Sequence, residues 1–318
     1  MMHLLTGQCN GTTPLVSMVM PVWRPRGDWL ADAVRSALDQ RGADVELIVV
    51  DDGNEDPVAP LLRGFDDPRL SVVRVPHGGE CAGRNAGIAL ARGRYLRFVD
   101  ADDVLDPHST ARLLELVDGR DDVLAYLATV FCDEDLEPIW TMSARTRGAA
   151  LVDCLLNQFP VRLPAMLFPR AVIDLTGAWD TSFRVCQDWD FCLRAVEHAE
   201  VRAGDGVGVF YRRHGDSATA DTTAGSEGRR AVVDRFFERH PEHRGTWLHR
   251  RALGMLRARD ARIALQRGHV AAAVPLVLDA AARSPRAVVT EFGQALPAVW
   301  ARGNRRTAPT RPAVAAVA

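Results

Sequence analysis

The sequence predicts an α/β fold with a mostly parallel sheet in its first two thirds and a helical region after it. Up to about residue 99, short apolar runs alternate with amphipathic stretches whose apolar side chains recur at helical spacing, an order typical of right-handed βαβ crossovers. Beyond residue 226 every periodic stretch is helical. The chain of 318 residues is therefore expected to contain a tail (1–14), an α/β domain (15–225), a helical region (226–301) and a disordered tail (302–318).

The first predicted elements alternate between strand and helix. Leu15 to Val22 (LVSMVMPV) is an apolar strand, and Asp28 to Gln40 is a helix because its apolar residues fall at helical spacing. The next elements are the strands Val45 to Val50, Leu70 to Val75 and Tyr95 to Val99 and the helix Cys81 to Ala91. Strands joined in this way predict a parallel sheet that is covered by helices on both faces.

The pattern loosens after residue 106. The predicted elements are a helix to about Val117, β-like segments at 123–131, 138–142 and 163–168, helices at 149–157 and 188–198, and a strand at 207–211. Residues 214–228 have the Ser, Thr, Gly and Asp content of a linker. Helices are predicted beyond it at 231–240, 247–267, 270–283 and 287–300.

The composition excludes several kinds of chemistry. All 39 basic residues are arginine, which excludes mechanisms that need a Schiff-base amine, a P-loop lysine or a lysine base. The six cysteines form no C-x-x-C pair or zinc-like spacing, and free thiols are expected. Residues 1–226 carry 22 arginines and 34 acidic residues, a net −12, whereas residues 227–318 carry 17 and 7, a net +10. An acidic body of this kind is expected to need a cation.

Acidic side chains follow two predicted parallel strands where each strand ends. Asp51 and Asp52 end the second strand, and Asp100-Ala101-Asp102-Asp103 ends the fourth. Because ligands bind beyond the carboxyl ends of parallel strands, these carboxylates are expected to converge on one ligand. Such a hard oxygen site suits Mg²⁺ or Mn²⁺ and, through the metal, a diphosphate. The alternative for both strings is an Asp-rich turn, the second one capping the helix near Pro107.

Five ordered motifs resemble those of family 2 glycosyltransferases of the GT-A fold. They are VSMVMPVW, ELIVVDDGN, AGRNAGIALARGRYLRFVDADD, GAWDTSFRVCQDWDFCLRA and FYRRHGDSAT, and the resemblance covers about residues 15 to 216. The resemblance implies the GT-A nucleotide-diphospho-sugar transferase fold, a Rossmann-like mixed and mostly parallel sheet, with a helical C-terminal extension. It also implies an inverting transfer of a sugar from a nucleotide-diphosphate sugar to an acceptor hydroxyl by direct displacement.

The resemblance assigns the nucleotide to residues at the strand ends. Pro21, Val22, Asp52 and Arg84 would hold it, and Asp52 suits acceptance of a hydrogen bond from a nucleobase N–H or a ribose hydroxyl. Asp100 would reach the ribose or the metal. The expected donor is a UDP- or dTDP-sugar, and the acceptor is an unidentified hydroxyl compound.

The metal and the general base are implied in the same way. Asp102, with Asp100 and His214, would coordinate a Mn²⁺ or Mg²⁺ ion that stabilises the charge of the leaving diphosphate. Asp188 would take the proton of the acceptor hydroxyl. The residue before it is Gln187, where the family commonly has Glu. The structural alternatives are a helix N-terminal carboxylate for Asp188 and an ordinary structural histidine for His214.

Two other functions compete with this interpretation. A nucleotide-sugar-binding protein without turnover fits the same motifs, and sugar release that depends on Asp188 discriminates the two. A sugar-phosphate nucleotidyltransferase is disfavoured because its lysine-containing, Gly-rich loop is absent.

The basic C-terminal helices have a separate interpretation. Arg250-Arg251 and Arg305-Arg306, with Trp300 as an interfacial anchor, suggest docking to an anionic membrane surface. A homodimer through these helices and a solvated helical face are the alternatives, and nucleic-acid binding is not expected because no recognition motif accompanies the arginines. No apolar run reaches about 18 residues and no secretory signal pattern is visible. A cytoplasmic location is expected, with peripheral contact at the inner face of the membrane as its variant.

Overall fold

The computed structural model describes residues 3–6, 14–145, 150–156, 162–215 and 222–293. Trp300, Arg305, Arg306 and the predicted tail 302–318 lie outside these residues. The chain divides into two compact units, Met1–Val232 and Val233–Ala318. This division lies a few residues beyond the boundary predicted after residue 225.

The first unit alternates strands and helices. Its strands are β1 (His3–Thr6), β2 (Val16–Val22), β3 (Val45–Asp52), β4 (Leu70–Val75), β5 (Tyr95–Phe98), β6 (Val104–Leu105), β7 (Val123–Cys132), β8 (Pro138–Met142), β9 (Met166–Pro169) and β10 (Glu200–Arg212). Its helices are α1 (Gly27–Leu38), α2 (Glu80–Leu90), α3 (Ser109–Val117), α4 (Ala150–Leu155), α5 (Arg170–Thr176) and α6 (Gln187–Ala195), with 3₁₀ turns at Ala59–Leu62 and Leu163–Ala165.

The described strands form one mixed sheet in the order β1-β4-β3-β2-β5-β9-β7-β10-β6, with β8 paired to β7. The neighbours β4, β3, β2 and β5 are parallel, as their alternation with helices predicts, and β7 and β10 are parallel as well. Most antiparallel pairings are shorter, and β9 makes two of them, with β5 and with β7. The predicted fold class is confirmed: the sheet is mixed and, by length of pairing, mostly parallel.

Some elements differ from the predictions. β1 lies within the tail predicted over residues 1–14 and pairs antiparallel with β4. β6, also unpredicted, pairs with β10. Both are short edge strands, so their own sequences carry little signal. Helix α7 (Thr222–Arg239) begins inside residues 214–228, and the linker prediction is wrong there. Its Gly228 serves close packing, since a Cβ at this position would lie 2.7 Å from Val185 Cγ2.

Two glycines let α2 lie directly against β2. A Cβ at Gly87 would lie 2.2 Å from Val19 Cγ1, and one at Gly83 would lie 2.9 Å from Pro21 Cβ. Both distances are shorter than a van der Waals contact, so only glycine permits this approach. Arg84, which follows Gly83, is thereby held beside the carboxyl end of β2.

Arg97 of β5 is completely buried and joins several segments of the first unit. Its guanidinium donates to Ser109 Oγ (3.0 Å), Thr110 Oγ1 (2.7 Å) and Pro164 O (2.6 Å). Both hydroxyls in turn donate to Gln40 Oε1, which follows α1. Burial lowers the pKa of Arg97 to about 9. In the described part of the chain, neutral oxygens rather than a paired carboxylate hold this cation.

The second unit is helical. After α7, which crosses the division, it contains α8 (Trp247–Gln266), α9 (Val270–Arg283) and a helical segment at 285–293. Buried Glu291 is held by Arg259 at 3.1 Å and by Arg262 at 3.0 Å, both from α8. Within the described ranges, no helix is both long enough and apolar enough to cross a membrane.

Replacing Gly87 with alanine should lower the free energy of unfolding by about 1–3 kcal/mol, because the added methyl must push α2 away from β2. This steric loss acts against the roughly 1 kcal/mol by which alanine otherwise stabilises a helix relative to glycine. Chemical denaturation followed by circular dichroism measures it. Gly64→Ala is the matched control, since nothing lies within 4 Å of its added Cβ. Equal stability of the two variants would contradict the close-packing argument.

Candidate functional site

The candidate site lies at one edge of the sheet of the first unit. The carboxyl ends of β2, β3 and β5 share this edge because the three strands are parallel neighbours. The loop Asp100–Asp103 follows β5 there, and the end of β10 reaches it, since Arg212 N donates to Asp103 Oδ1 at 2.9 Å. Residues from opposite ends of the first unit's sequence thus meet at one place.

Each carboxylate of the loop Asp100–Asp103 contacts a different donor. Asp100 Oδ1 accepts from Arg84 Nη2 at 3.1 Å, and Asp102 Oδ2 lies 2.8 Å from His214 Nε2. Burial raises the pKa of Asp100 to about 7, although the Arg84 guanidinium opposes this shift. Burial and the neighbouring carboxylates also raise the pKa of Asp103 well above its usual range. The loop thus holds acidic groups close together in a buried place, which disfavours their charged forms.

Arg212, at the end of β10, holds this loop to the rest of the site. Its Nε donates to Asp102 O at 3.0 Å, its Nη1 donates to Glu134 O, and its Cζ lies 4.8 Å from the ring centroid of Trp29. The side chain is only 3% exposed, so it makes these contacts in the interior of the first unit. The sequence offers no signal for this role beyond the string FYRRH, in which Arg212 precedes the predicted site residue His214.

Arg84 lies among three acidic side chains. Its Nη2 donates to Glu80 Oε1 at 2.7 Å as well as to Asp100, and its Cζ lies 4.6 Å from the ring centroid of Trp179. Burial alone would lower the pKa of Arg84, but the carboxylates of Glu80, Asp100 and Asp188 raise it. The guanidinium is therefore a buried permanent cation. Its Nε and Nη1 have no hydrogen-bond partner in the described part of the chain.

Asp188 is in the first turn of α6, half-buried. Its charge acts on both Arg84 and Asp100, so the structure brings these three predicted site residues together. Its Oδ1 accepts from Trp189 N at 2.8 Å. The following acid, Asp190, is buried and pairs with Arg194 at 2.9 Å, an interaction within α6.

Pro21, Val22 and Asp52 occupy the expected strand ends but are buried. Val22 O accepts from Asn54 Nδ2 at 2.8 Å. The Asp52 carboxylate accepts from Gly78 N at 2.9 Å and from Gly79 N at 3.0 Å. Asp52 thereby fixes the loop that leads into α2, and its expected contact with a nucleoside stays a prediction.

The pair Trp23–His77 is a feature that the sequence did not indicate. Trp23 follows β2, His77 precedes α2, and their rings are stacked with centroids 3.8 Å apart and an interplanar angle of 22°. His77 Nδ1 also lies 2.8 Å from Asp52 Oδ2, which orients the imidazole. Because Trp23 is 43% exposed, the pair presents an aromatic surface at the site's edge that can stack on a planar ring.

Two of the predicted metal ligands, Asp102 and His214, contact each other. Ligand distances of about 2.1 Å at right angles place two donor atoms about 3.0 Å apart, close to the 2.8 Å between Asp102 Oδ2 and His214 Nε2. Asp100 instead contacts Arg84. In the described ranges no three His, Cys, Asp or Glu side chains form a complete ligand set. Two protein ligands fit an ion whose remaining ligands are phosphate oxygens and water, and a carboxylate–imidazole pair suits Mn²⁺ better than Mg²⁺.

A family model decides the identity of this domain. The model of glycosyl transferase family 2 matches residues 17–174, from β2 into α5. The chain belongs to glycosyl transferase family 2. The matched segment of this glycosyltransferase family member includes Arg84 and the loop Asp100–Asp103 but ends before Asp188 and His214.

Relatives of the family 2 chain include proteins named for the biosynthesis of succinoglycan and of teichuronic acid. It is 36% identical over 107 residues to the succinoglycan biosynthesis protein ExoO of Rhizobium meliloti, which covers 33% of this chain and 30% of that protein. It is 31% identical over 129 residues to the putative teichuronic acid biosynthesis glycosyltransferase TuaG of Bacillus subtilis, covering 40% and 51%. An uncharacterized Sinorhizobium fredii protein, y4gI, matches at 29% over 201 residues, covering 59% and 21%. The chain thus spans between a fifth and about half of these relatives' lengths.

Solved structures share the fold of this family 2 member. The S. aureus TarS fragment 1–349 in complex with UDP-GlcNAc aligns with a TM-score of 0.52 at 14% identity, over 89% of this chain and 92% of that one. A further S. aureus TarS structure aligns with a TM-score of 0.53 over 87% of this chain and 54% of that one. The likeness establishes the shared architecture.

Arg212→Lys should lower the free energy of unfolding by about 2 kcal/mol, because one ammonium group cannot replace a planar guanidinium that bonds two carbonyls and stacks on Trp29. The neighbouring exposed Arg213 provides the control, and Arg213→Lys should change stability by less than about 0.5 kcal/mol. Urea titration of both variants measures the difference. A fully stable Arg212→Lys variant would refute the conclusion that Arg212 fixes the loop Asp100–Asp103.

Proposed function

We propose that the chain is an inverting, metal-assisted glycosyltransferase that moves a sugar from a UDP- or dTDP-sugar to an acceptor hydroxyl. One observation carries the proposal: hydrogen bonds join Asp100 to Arg84 and, through Glu80, to Gln187, the neighbour of Asp188, beside the pair Asp102–His214. The family membership supports the reaction class. The TarS structures with UDP-GlcNAc and with UDP support the class of donor, since those proteins have this architecture.

The nucleotide diphosphate is proposed to bind along the strand ends. Arg84 is proposed to act on the diphosphate through its buried positive charge, since its guanidinium is only 3% exposed and its Nε and Nη1, which have no partner in the described residues, are buried as well. The stacked pair Trp23–His77 offers its aromatic surface to the planar base. The buried residues Pro21, Val22 and Asp52 would then support the backbone of this edge and would not contact the nucleotide through free side chains.

Asp102 and His214 are proposed to hold a divalent ion, with Asp100 nearby. When bound, the ion would neutralise negative charge that develops on the leaving diphosphate. His214 Nδ1 is buried without a partner in the described part of the chain, so the imidazole has no second hydrogen bond that fixes its tautomer. Its Nε2 can therefore either donate a hydrogen bond to Asp102 or act as a metal ligand. Asp102 and His214 would thus be hydrogen-bonded to each other without the ion and would both bind the ion when it is present.

Asp188 is proposed as the general base of a single displacement. The acceptor oxygen forms a bond to the anomeric carbon while the bond from that carbon to the phosphate oxygen breaks, and the leaving nucleotide diphosphate takes the electron pair. The acceptor proton passes to the Asp188 carboxylate. One displacement inverts the configuration at the anomeric carbon, so inversion follows from the presence of one base and one leaving-group stabiliser.

The C-terminal helices are proposed to make a surface contact. The side chains of Val270, Val274 and Leu278 on α9 are 58%, 52% and 65% exposed, and their spacing of four residues places them on one side of the helix. Such a stripe supports either peripheral contact with a membrane or a homodimer. Flotation with anionic vesicles at low salt, together with the mass in solution, tests the two. The cytoplasmic location stays a prediction.

UDP with Mn²⁺ should raise the melting temperature of the wild-type chain, because a ligand at about 100 times its Kd stabilises the folded state by about 2.7 kcal/mol. The metal-dependent part of this shift should disappear in Asp102→Ala and remain in Asp188→Asn. Release of UDP from a UDP-sugar should fall by about 10²–10⁴-fold in Asp188→Asn, as expected when a general base is removed.

Asp174→Asn is the control for these measurements, since Asp174 is an exposed acid of α5 and should affect neither the shift nor the release. Binding of UDP by a wild-type chain that releases none from any sugar would favour the alternative of a binding protein without turnover. If no uridine or thymidine nucleotide shifts the melting temperature, the proposed donor site is wrong.

A further inference from the structure

The first turn of α6, which carries Asp188, is held by two contacts with other elements. Cys186, just before the helix, has a left-handed backbone (φ 63°) and its side chain makes no capping hydrogen bond. Gln187 Nε2 donates to Glu80 Oε2 of α2 at 2.5 Å, and Trp189 Nε1 donates to Cys154 O of α4 at 2.6 Å. Asp188 lies between these two anchored residues, so its position depends on both contacts.

Glu80 uses its two oxygens for two different residues. Oε2 accepts from Gln187, while Oε1 accepts from Arg84 Nη2 at 2.7 Å. The same Nη2 also donates to Asp100 Oδ1. A continuous chain of hydrogen bonds therefore runs from Gln187 through Glu80 and Arg84 to Asp100. It joins the start of α6 to the start of α2 and to the loop after β5.

The contact between Glu80 and Gln187 requires an amide on at least one side. The carboxylate can only accept, so Gln187 must present its NH₂ group. A carboxylate in place of Gln187 would set two acidic groups at hydrogen-bond distance, where like charges repel each other. The acid can be at either position, because an amide at position 80 can donate to a carboxylate at position 187. Exchange of the two side chains therefore tests the contact itself.

We propose that Glu80 is a positioning residue that orients Asp188 through Gln187 while it holds Arg84 with its other oxygen. The proposal rests on the proposed function, since it needs Asp188 to act as the base. Glu80 touches neither the acceptor nor the reacting carbon in this role. Its effect should therefore fall on the rate of the chemical step more than on the binding of the donor.

Four forms of the full chain test this: wild type, Glu80→Gln, Gln187→Glu and the double variant that exchanges acid and amide. UDP or dTDP release from UDP-GlcNAc, UDP-glucose and dTDP-glucose gives kcat and KM. Gln187→Glu should lower kcat by about tenfold or more, with KM within about threefold of wild type. Glu80→Gln should lower kcat by about threefold or more, because Arg84 loses a charged partner. The double variant should recover to about the kcat of Glu80→Gln, well above that of Gln187→Glu, because the exchange restores the contact while Arg84 still lacks its charged partner.

Rescue by exchange shows that the two side chains act through their mutual contact, and a loss confined to kcat distinguishes a positioning role from a merely structural one. Glu115→Gln, at an exposed glutamate of α3, is the matched control and should leave both constants unchanged. A Gln187→Glu variant with kcat within about twofold of wild type, or a double variant no faster than Gln187→Glu, overturns the proposal. Should Gln187→Glu fail to fold by circular dichroism, Glu80→Ala takes its place, because it removes both contacts of Glu80, and an unchanged kcat in that variant overturns the proposal. A wild-type chain that releases no nucleotide from any of the three donors overturns the proposed function, whereas an active wild type without rescue overturns this inference alone.

Discussion

Carboxylates gathered at one edge of a sheet repel one another, and the candidate site depends on how the chain offsets that repulsion. The loop Asp100–Asp103 carries three acids in four positions, and each is met by a different donor: the Arg84 guanidinium, the His214 imidazole and the backbone N–H of Arg212. These donors come from α2 and from the end of β10. Elements distant in the sequence must therefore be in place before the loop can keep its shape, so the site belongs to the completed sheet and not to a local turn.

The absence of lysine from the sequence has a counterpart in the interior. Arg97, Arg84 and Arg212 are each at most 3% exposed, and each guanidinium donates to at least two other residues. A planar fork with five donors can bond several segments at once, whereas an ammonium group on a flexible stem acts as a single point of charge. Arginine therefore stabilises this structure through its several hydrogen bonds as well as its charge. Arg97 of β5 does so in the interior of the first unit, and Arg84 and Arg212 do so on the two sides of the candidate site.

Much of the fold could be predicted from local patterns, because the parallel strands of the first half are continuous apolar runs and the rule for strand ends brought Asp52 and the loop Asp100–Asp103 to one edge. What could not be predicted depends on contacts between distant segments. Arg212 Nε bonds a carbonyl that is 110 positions away in sequence, and Gln187 meets Glu80 across 107 positions. The departure of Gln187 from the common family residue was visible in the sequence, but its reason was not, because the partner acid is on another helix.

The place of β10 in the sheet bears on how such a domain can be divided or recombined. This strand lies between β7 and β6, yet it begins 26 positions after the last residue that the family model matches, Asp174. A fragment cut at the end of the matched segment would expose the edge of β7 and leave β6 without its partner. It would also lose both groups that hold Asp102 and Asp103. The end of the segment that the family model matches is therefore not a structural boundary of the folded domain. Chimaeras between relatives should be joined beyond β10 rather than at residue 174.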